Sequence, residues 1–159
     1  MSLTVDIQCA SVEPVPTEND LRSWVAAALA TRPGRDSTQV CVRLVDSAEM
    51  TTLNETYRGK AGPTNVLSFP ADLPAELELP LLGDIVICAP VVRMEAQDQH
   101  KRLDAHWAHM AVHGTLHLLG YDHIEDNEAQ EMEALESAIL EKLNYPCPYQ
   151  ATHQENSLA

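Results

Sequence analysis

The residues best suited to chemistry lie in one stretch, His113-Gly-Thr-Leu-His117-Leu-Leu-Gly120-Tyr-Asp-His123. His113 and His117 are four residues apart, so on a helix they share one face, one turn apart. Two imidazoles so placed can reach one ion at ~2.0–2.1 Å. Gly120 can adopt a left-handed conformation and end the helix. The chain then turns back and can bring His123 to the same ion. Three neutral nitrogens and one open position make the arrangement of a catalytic zinc, because water or substrate must take the fourth place. A lone pair of histidines would be explained as well by surface or core packing. The third histidine beyond a helix-ending glycine is what favours a metal.

His106 and His109 complicate the choice. His109, His113 and His117 form an i, i+4, i+8 stripe, so His109 and His113 are a rival ligand pair. Only the histidine nearest the Gly120 turn can share an ion with His123, which favours His113 and His117. His109, a further turn away, could then orient a ligand or face the substrate; His106 has a weaker claim. The spacing H-x3-H-x2-G-x2-H is also that of the metzincin proteases, but those carry Glu after the first His as general base. Here that position is Gly114, so a peptidase would lack its proton acceptor. Asp122, beside the third histidine, could orient that ligand or take a proton.

Hydrophobic periodicity supplies the elements that must hold this stretch. Alternation at Leu3, Val5, Ile7 and Cys9 predicts a strand. Thr17 caps a helix over about 18–31, with Leu21, Trp24, Val25, Ala28 and Leu29 on its apolar face. Val40, Val42 and Leu44 mark a second strand. Ser47 opens a helix through Tyr57, broken by Gly59, Gly62 and Pro63. Residues 65–69 read as a short strand, 70–82 as a loop and 83–88 as an apolar strand. Pro90 suits the first turn of a helix reaching about His100. Asp104 is the expected cap of the histidine-bearing helix, which runs to Leu119. A last helix starts near Asp126, with Ala129, Met132, Leu135, Ile139 and Leu143 inward, and stops before Pro146. Four strands and five helices, partly segregated, predict an α+β or α/β fold in one domain over 1–149, with 150–159 a disordered tail.

Composition narrows the function classes. A chain of 159 residues can bury a real core without a metal staple, so a metal site here is expected to be catalytic. Cys9, Cys41, Cys88 and Cys147 are never closer than 32 residues, which excludes a C-x-x-C pair. The N-terminus MSLTVDIQCA has neither the basic region nor the apolar block of a signal peptide. Together these lead us to expect a reducing cytoplasm. No apolar run approaches the ~20 residues needed to span a bilayer. Net charge is −14, which argues against broad nucleic-acid binding through a general positive field. The charge is uneven, however. Five of the ten basic residues fall within 58–102, whereas 104–159 holds one basic residue, Lys142, against ten acidic ones. A polyanion would have to bind at a local patch.

The block H-G-x-L-H-L-x-G-Y-D-H at 113–123 resembles the signature of the YbeY endoribonucleases, the ribosomal RNA maturation factors. Two further blocks agree in order: Asn54-Glu-Thr-Tyr57-Arg58-Gly59-Lys60 followed by Thr64-Asn65-Val66-Leu67-Ser68-Phe69-Pro70, then Leu82-Gly83-Asp84-Ile85. The resemblance runs over roughly 40–145. Position 65 is Asn where many members have Asp, so no acid–base role is assigned to it. The resemblance implies a small mixed sheet flanked by helices, a zinc ion held by His113, His117 and His123, and a functional arginine at Arg58. It further implies cleavage of single-stranded RNA in 3′-end maturation of 16S ribosomal RNA and in ribosome quality control. The ribosome or its associated proteins would then be partners, with no DNA or membrane expected.

The chemistry of these residue types suits that implication. A guanidinium is a planar, always-charged clamp for phosphate, and Arg58 stands just before Gly59 at a helix end. Candidate catalytic residues are Arg58, His113 and Asp122; candidate substrate contacts are Arg58, Lys60 and His109. Ser68 fits strand packing better than substrate binding, and Asp84 reads as a turn-stabilising residue. Two other classes compete. A metal-dependent hydrolase of peptides or small molecules is disfavoured by the missing base at Gly114. A non-catalytic ribosome-assembly factor is disfavoured by the acidic balance and by a ligand trio that leaves a structural zinc incomplete.

Overall fold

A computed structural model describes residues 2–32, 37–71, 79–121 and 126–146. The described elements are strand β1 (Ser2–Cys9), helix α1 (Glu18–Leu29), strand β2 (Ser37–Val45), helix α2 (Ser47–Arg58), strands β3 (Val66–Pro70) and β4 (Leu81–Cys88), and helices α3 (Ala89–Asp98), α4 (Leu103–Leu118) and α5 (Asp126–Lys142). The sheet order is β1-β2-β4-β3. β1 with β2 and β2 with β4 run parallel, whereas β3 is an antiparallel edge strand on β4. This is the mixed four-stranded α+β domain that the patterning and the resemblance led us to expect. The expected tail at 150–159 lies outside the described residues. No helix among the described residues is long and apolar enough to cross a membrane.

The pleat of β2 and β4 divides the interior in two. Val40, Val42 and Leu44 of β2 and Ile85 and Ile87 of β4 point to one face, where Leu21, Trp24, Val25 and Ala28 of α1 and Ala108, Ala111, Val112 and Leu116 of α4 cover them. Alternate residues point the other way. Val45, Leu67, Val86 and Cys88 meet Met50 of α2 in a smaller cluster. α4 buries twelve of its sixteen residues, so it is the central helix of the larger layer and is held on nearly every side. That is why histidines on it can be interior groups.

Three local expectations need correcting. Asp104 does not cap α4: the cap position is Arg102, and Asp104 lies in the first turn, accepting from Ala105 N at 2.8 Å. An acid there still suits the positive end of the helix. β4 begins at Leu81, inside the span expected to be loop, because Leu81 pairs with Gln39 of β2. Asp84 is therefore not at a turn: it sits within β4, in register between Cys41 and Phe69. Thr17 does cap α1, its hydroxyl accepting from Asp20 N at 3.1 Å.

Candidate metal centre

α4 is fixed against the sheet at the level of its histidines. A Cβ added at Gly114 would lie 2.8 Å from Ile85 Cγ2 and 3.2 Å from Val66 Cγ2, so only glycine allows the helix this close. Ser68 of β3 strengthens the contact, its Oγ donating to the Gly114 carbonyl at 2.9 Å. Ser68 thus has a packing role, as expected. The position where a metzincin carries its base is filled by the sheet, with no room for a carboxylate.

The helix ends as the sequence predicts. Gly120 has φ +99, the Gly120 amide donates to the His117 carbonyl at 3.0 Å, and Tyr121 N reaches back to Leu116 O at 3.1 Å. This is the paired-bond termination favoured by a left-handed residue after the helix. Arg32, three residues past the end of α1, secures the turn twice. Its guanidinium donates to the Leu119 carbonyl at 2.9 Å and stacks over the Tyr121 ring at 4.2 Å. A cation at a helix C-terminus also opposes the dipole there. His123 and Asp122, which follow this turn, lie outside the described residues.

On the helix, His113 and His117 come together: Nε2 of one is 3.0 Å from Nε2 of the other. Both rings are half-buried. His113 turns its other nitrogen inward, where Nδ1 lies 2.5 Å from Glu136 Oε1. His109 is buried, with its Nε2 2.8 Å from the other oxygen, Oε2. His106 is also buried and bonds Glu95 Oε1 at 2.9 Å; the amide of Asn65 donates to the same carboxylate at 3.2 Å. Asn65 therefore ties β3 to α3, in keeping with its having no acid–base role. Among the described residues, His109, His113 and Glu136 present ligand atoms within 4.8 Å of one another and could hold a metal ion.

Burial alone would raise the Glu136 carboxyl, but the hydrogen bonds from His109 and His113 outweigh it and hold the group well below the usual carboxylate range. Burial lowers His109, more than its bond to Glu136 raises it. The interior therefore holds an ionised carboxylate, one oxygen against the His109 ring and the other against His113. Glu95 is likewise lowered: burial opposes this, but the bonds from His106 and Asn65 prevail.

Glu136 was missed by the sequence reading, although a signal existed. It lies four residues after Met132 and four before Leu140, on the stripe that α5 buries. An acid on that stripe needs partners inside. Arg58 and Lys60 are exposed, Arg58 as the last residue of α2 and Lys60 two residues on. Neither makes an ion pair or side-chain hydrogen bond with the histidine cluster among the described residues. A separate groove of about 470 Å³ opens on the α2 side of the sheet, with Cys41, Arg43, Tyr57, Phe69 and Asp84 in its wall; none of the histidines lines it.

Comparisons with known proteins agree with one another. Residues 6–144 match the family model described as endoribonuclease YbeY. An endoribonuclease YbeY from Stutzerimonas stutzeri (strain A1501) is 54% identical over 157 residues, covering 98% of this chain and 97% of that one. Among solved structures, the solution structure of TM1509 from Thermotoga maritima aligns with a TM-score of 0.61 at 27% identity, covering 87% of each chain. The family match over nearly the whole chain and the close relative leave one assignment: this chain belongs to the YbeY endoribonuclease family.

Proposed function

We propose that this chain is a zinc-dependent, single-strand-specific endoribonuclease acting in 3′-end maturation of 16S ribosomal RNA and in ribosome quality control. Its place would be the cytoplasm and its partners ribosomal RNA and ribosome-associated proteins. Family membership supports the reaction class. The observation that carries the metal reading is the facing pair of nitrogens, His113 Nε2 and His117 Nε2, 3.0 Å apart on one helix face. Two ligands of a tetrahedral zinc at ~2.0–2.1 Å lie about 3.3 Å apart, so the pair needs only a small opening to take an ion. We assign the ligands as His113, His117 and His123.

When bound, zinc would supply a Lewis acid and an activated water for attack on a phosphodiester. The chain's own residues would do the rest. Arg58 would neutralise charge that builds on the phosphoryl oxygens, offering two parallel donors. Lys60, two residues on, would add a second positive contact to the RNA backbone. Asp122 would orient the third ligand or accept a proton. His109, buried and bonded to Glu136, is better placed to organise the centre than to meet RNA.

The test is cleavage of a labelled single-stranded RNA by the purified protein, against a duplex of the same sequence, before and after metal chelation. Single-strand cleavage that chelator abolishes and zinc restores is the expected result. Cleavage that survives complete metal removal would refute zinc dependence. A protein that binds zinc but cuts no RNA would refute the nuclease reading.

A further inference from the structure

We propose that Glu136 is a positioning residue for the metal centre, whose carboxylate fixes His113 in the tautomer that leaves Nε2 unprotonated and able to form a ligand bond. The inference rests on the assignment of His113 and His117 as ligands made above. It follows from where protons must lie. An ionised carboxylate only accepts hydrogen bonds. Glu136 accepts from His113 Nδ1 at 2.5 Å and from His109 Nε2 at 2.8 Å, one imidazole on each oxygen. A neutral imidazole has one ring proton, so His113 with its proton at Nδ1 carries its lone pair at Nε2. That nitrogen faces His117. Carboxylates behind metal-bound histidines serve in this way: they fix tautomer and ring orientation and raise the basicity of the ligand.

Packing makes the arrangement rigid. Glu136 is 0% exposed, with Met132 and Leu140 buried one turn to either side on α5. The carboxylate cannot swing to solvent, and His109 on its second oxygen stops it from rotating away from His113. α5 therefore sets the orientation of a ligand carried by α4. Direct ligation by Glu136 together with His109 and His113 is the competing geometry, since their atoms lie within 4.8 Å. The lengths favour the positioning role: 2.5 and 2.8 Å are charge-assisted hydrogen-bond lengths, those of a carboxylate bonded to two imidazoles, and zinc saturation of the variant below separates the two geometries.

The experiment uses the full chain and reads two quantities, neither of them RNA cleavage. Histidine ring nitrogen shifts of the metal-free protein report the tautomer, and competition against a chelating dye reports zinc affinity. Wild type should show His113 protonated at Nδ1. Glu136→Gln has one acceptor and one donor where the carboxylate had two acceptors. It should invert the tautomer at one of the two imidazoles, weaken zinc about 10–100-fold, and still bind one zinc per chain at saturation. Unchanged tautomers with wild-type affinity would overturn the proposal, as would a variant that cannot be filled at saturating zinc, which would make Glu136 a ligand. Should Glu136→Gln fail to fold, Glu136→Asp carries the same test. It keeps an acceptor-only group, so the His113 tautomer should hold with affinity reduced less than tenfold; inversion there would overturn the proposal. Loss of affinity in Glu136→Gln, beside a zinc-loaded wild type that cuts no single-stranded RNA, would sink the function proposed above and leave this inference standing.

Discussion

His113 touches two partners with its two nitrogens: Glu136 inside through Nδ1 and His117 at the half-buried surface through Nε2. His109 shares the inner partner but lies a turn further from the helix end. The two outer histidines on this stripe therefore have different expected phenotypes. His117→Ala removes a proposed ligand and should lose zinc almost completely. His109→Ala removes only a neighbour of the carboxylate and should keep most of it. Elemental analysis of both purified variants checks this. Retention of full occupancy by His117→Ala, with loss in His109→Ala, would transfer the ligand role to His109.

The Gly114 contact gives a stability prediction. Gly114→Ala places a methyl 2.8 Å from Ile85 Cγ2 and 3.3 Å from Ser68 Oγ, so α4 must lift or the strands must give way. Overpacking of this kind typically costs about 1–3 kcal/mol. Thermal unfolding should show Tm lower by several degrees. Gly114→Glu should be worse and should show no peptidase activity, because its side chain has no cavity to occupy. An unchanged Tm in Gly114→Ala would mean that the helix has freedom to retreat.

What could be read in advance was local. The i, i+4 spacing of His113 and His117 fixed their shared face, and Gly120 marked the helix end, because both depend on backbone periodicity and a single left-handed residue. Glu136 was hidden by composition: α5 is rich in acids, and an acid on such a helix ordinarily belongs to a solvated face. Only packing of α5 on α4 reveals that this one turns inward. The start of β4 at Leu81 was hidden for a related reason. It depends on pairing with Gln39, more than forty residues away, not on any pattern within 70–82. The sheet order also depends on such long-range pairing.

Glu95 gives a prediction about pH. Its bonds from His106 and Asn65 lower its carboxyl in the folded protein, against burial. A depressed carboxyl contributes stability that is present above the ordinary value, 4.5, and is lost as pH falls through the folded value. Glu95→Gln lacks this contribution at every pH. Wild type should therefore exceed Glu95→Gln in denaturant midpoint at pH 6–7, with the gap closing below about pH 4.5. A gap independent of pH across that window would mean that the loss reflects packing, not charge.

Arg58 carries the last prediction. It ends α2 in the open and has no ion-pair partner among the described residues, so its charge is not committed to holding the fold together. A guanidinium facing a phosphate should matter most when charge builds on the transferring group and less in ground-state binding. Arg58→Ala should accordingly lower single-turnover cleavage of single-stranded RNA by about 10²–10³, while zinc content and circular dichroism stay at wild-type levels. Arg58→Lys should recover only part of the rate, since an ammonium cannot offer two parallel bonds to phosphate. A salt series separates chemistry from simple attraction. If Arg58 acted only through the surface field, wild type and Arg58→Ala would converge in rate as ionic strength rises, because exposed charges are screened over about 8 Å at 0.15 M. A rate gap that persists at high salt under saturating RNA places the arginine at the reacting phosphate. Wild-type cleavage by Arg58→Ala would make it an ordinary surface residue.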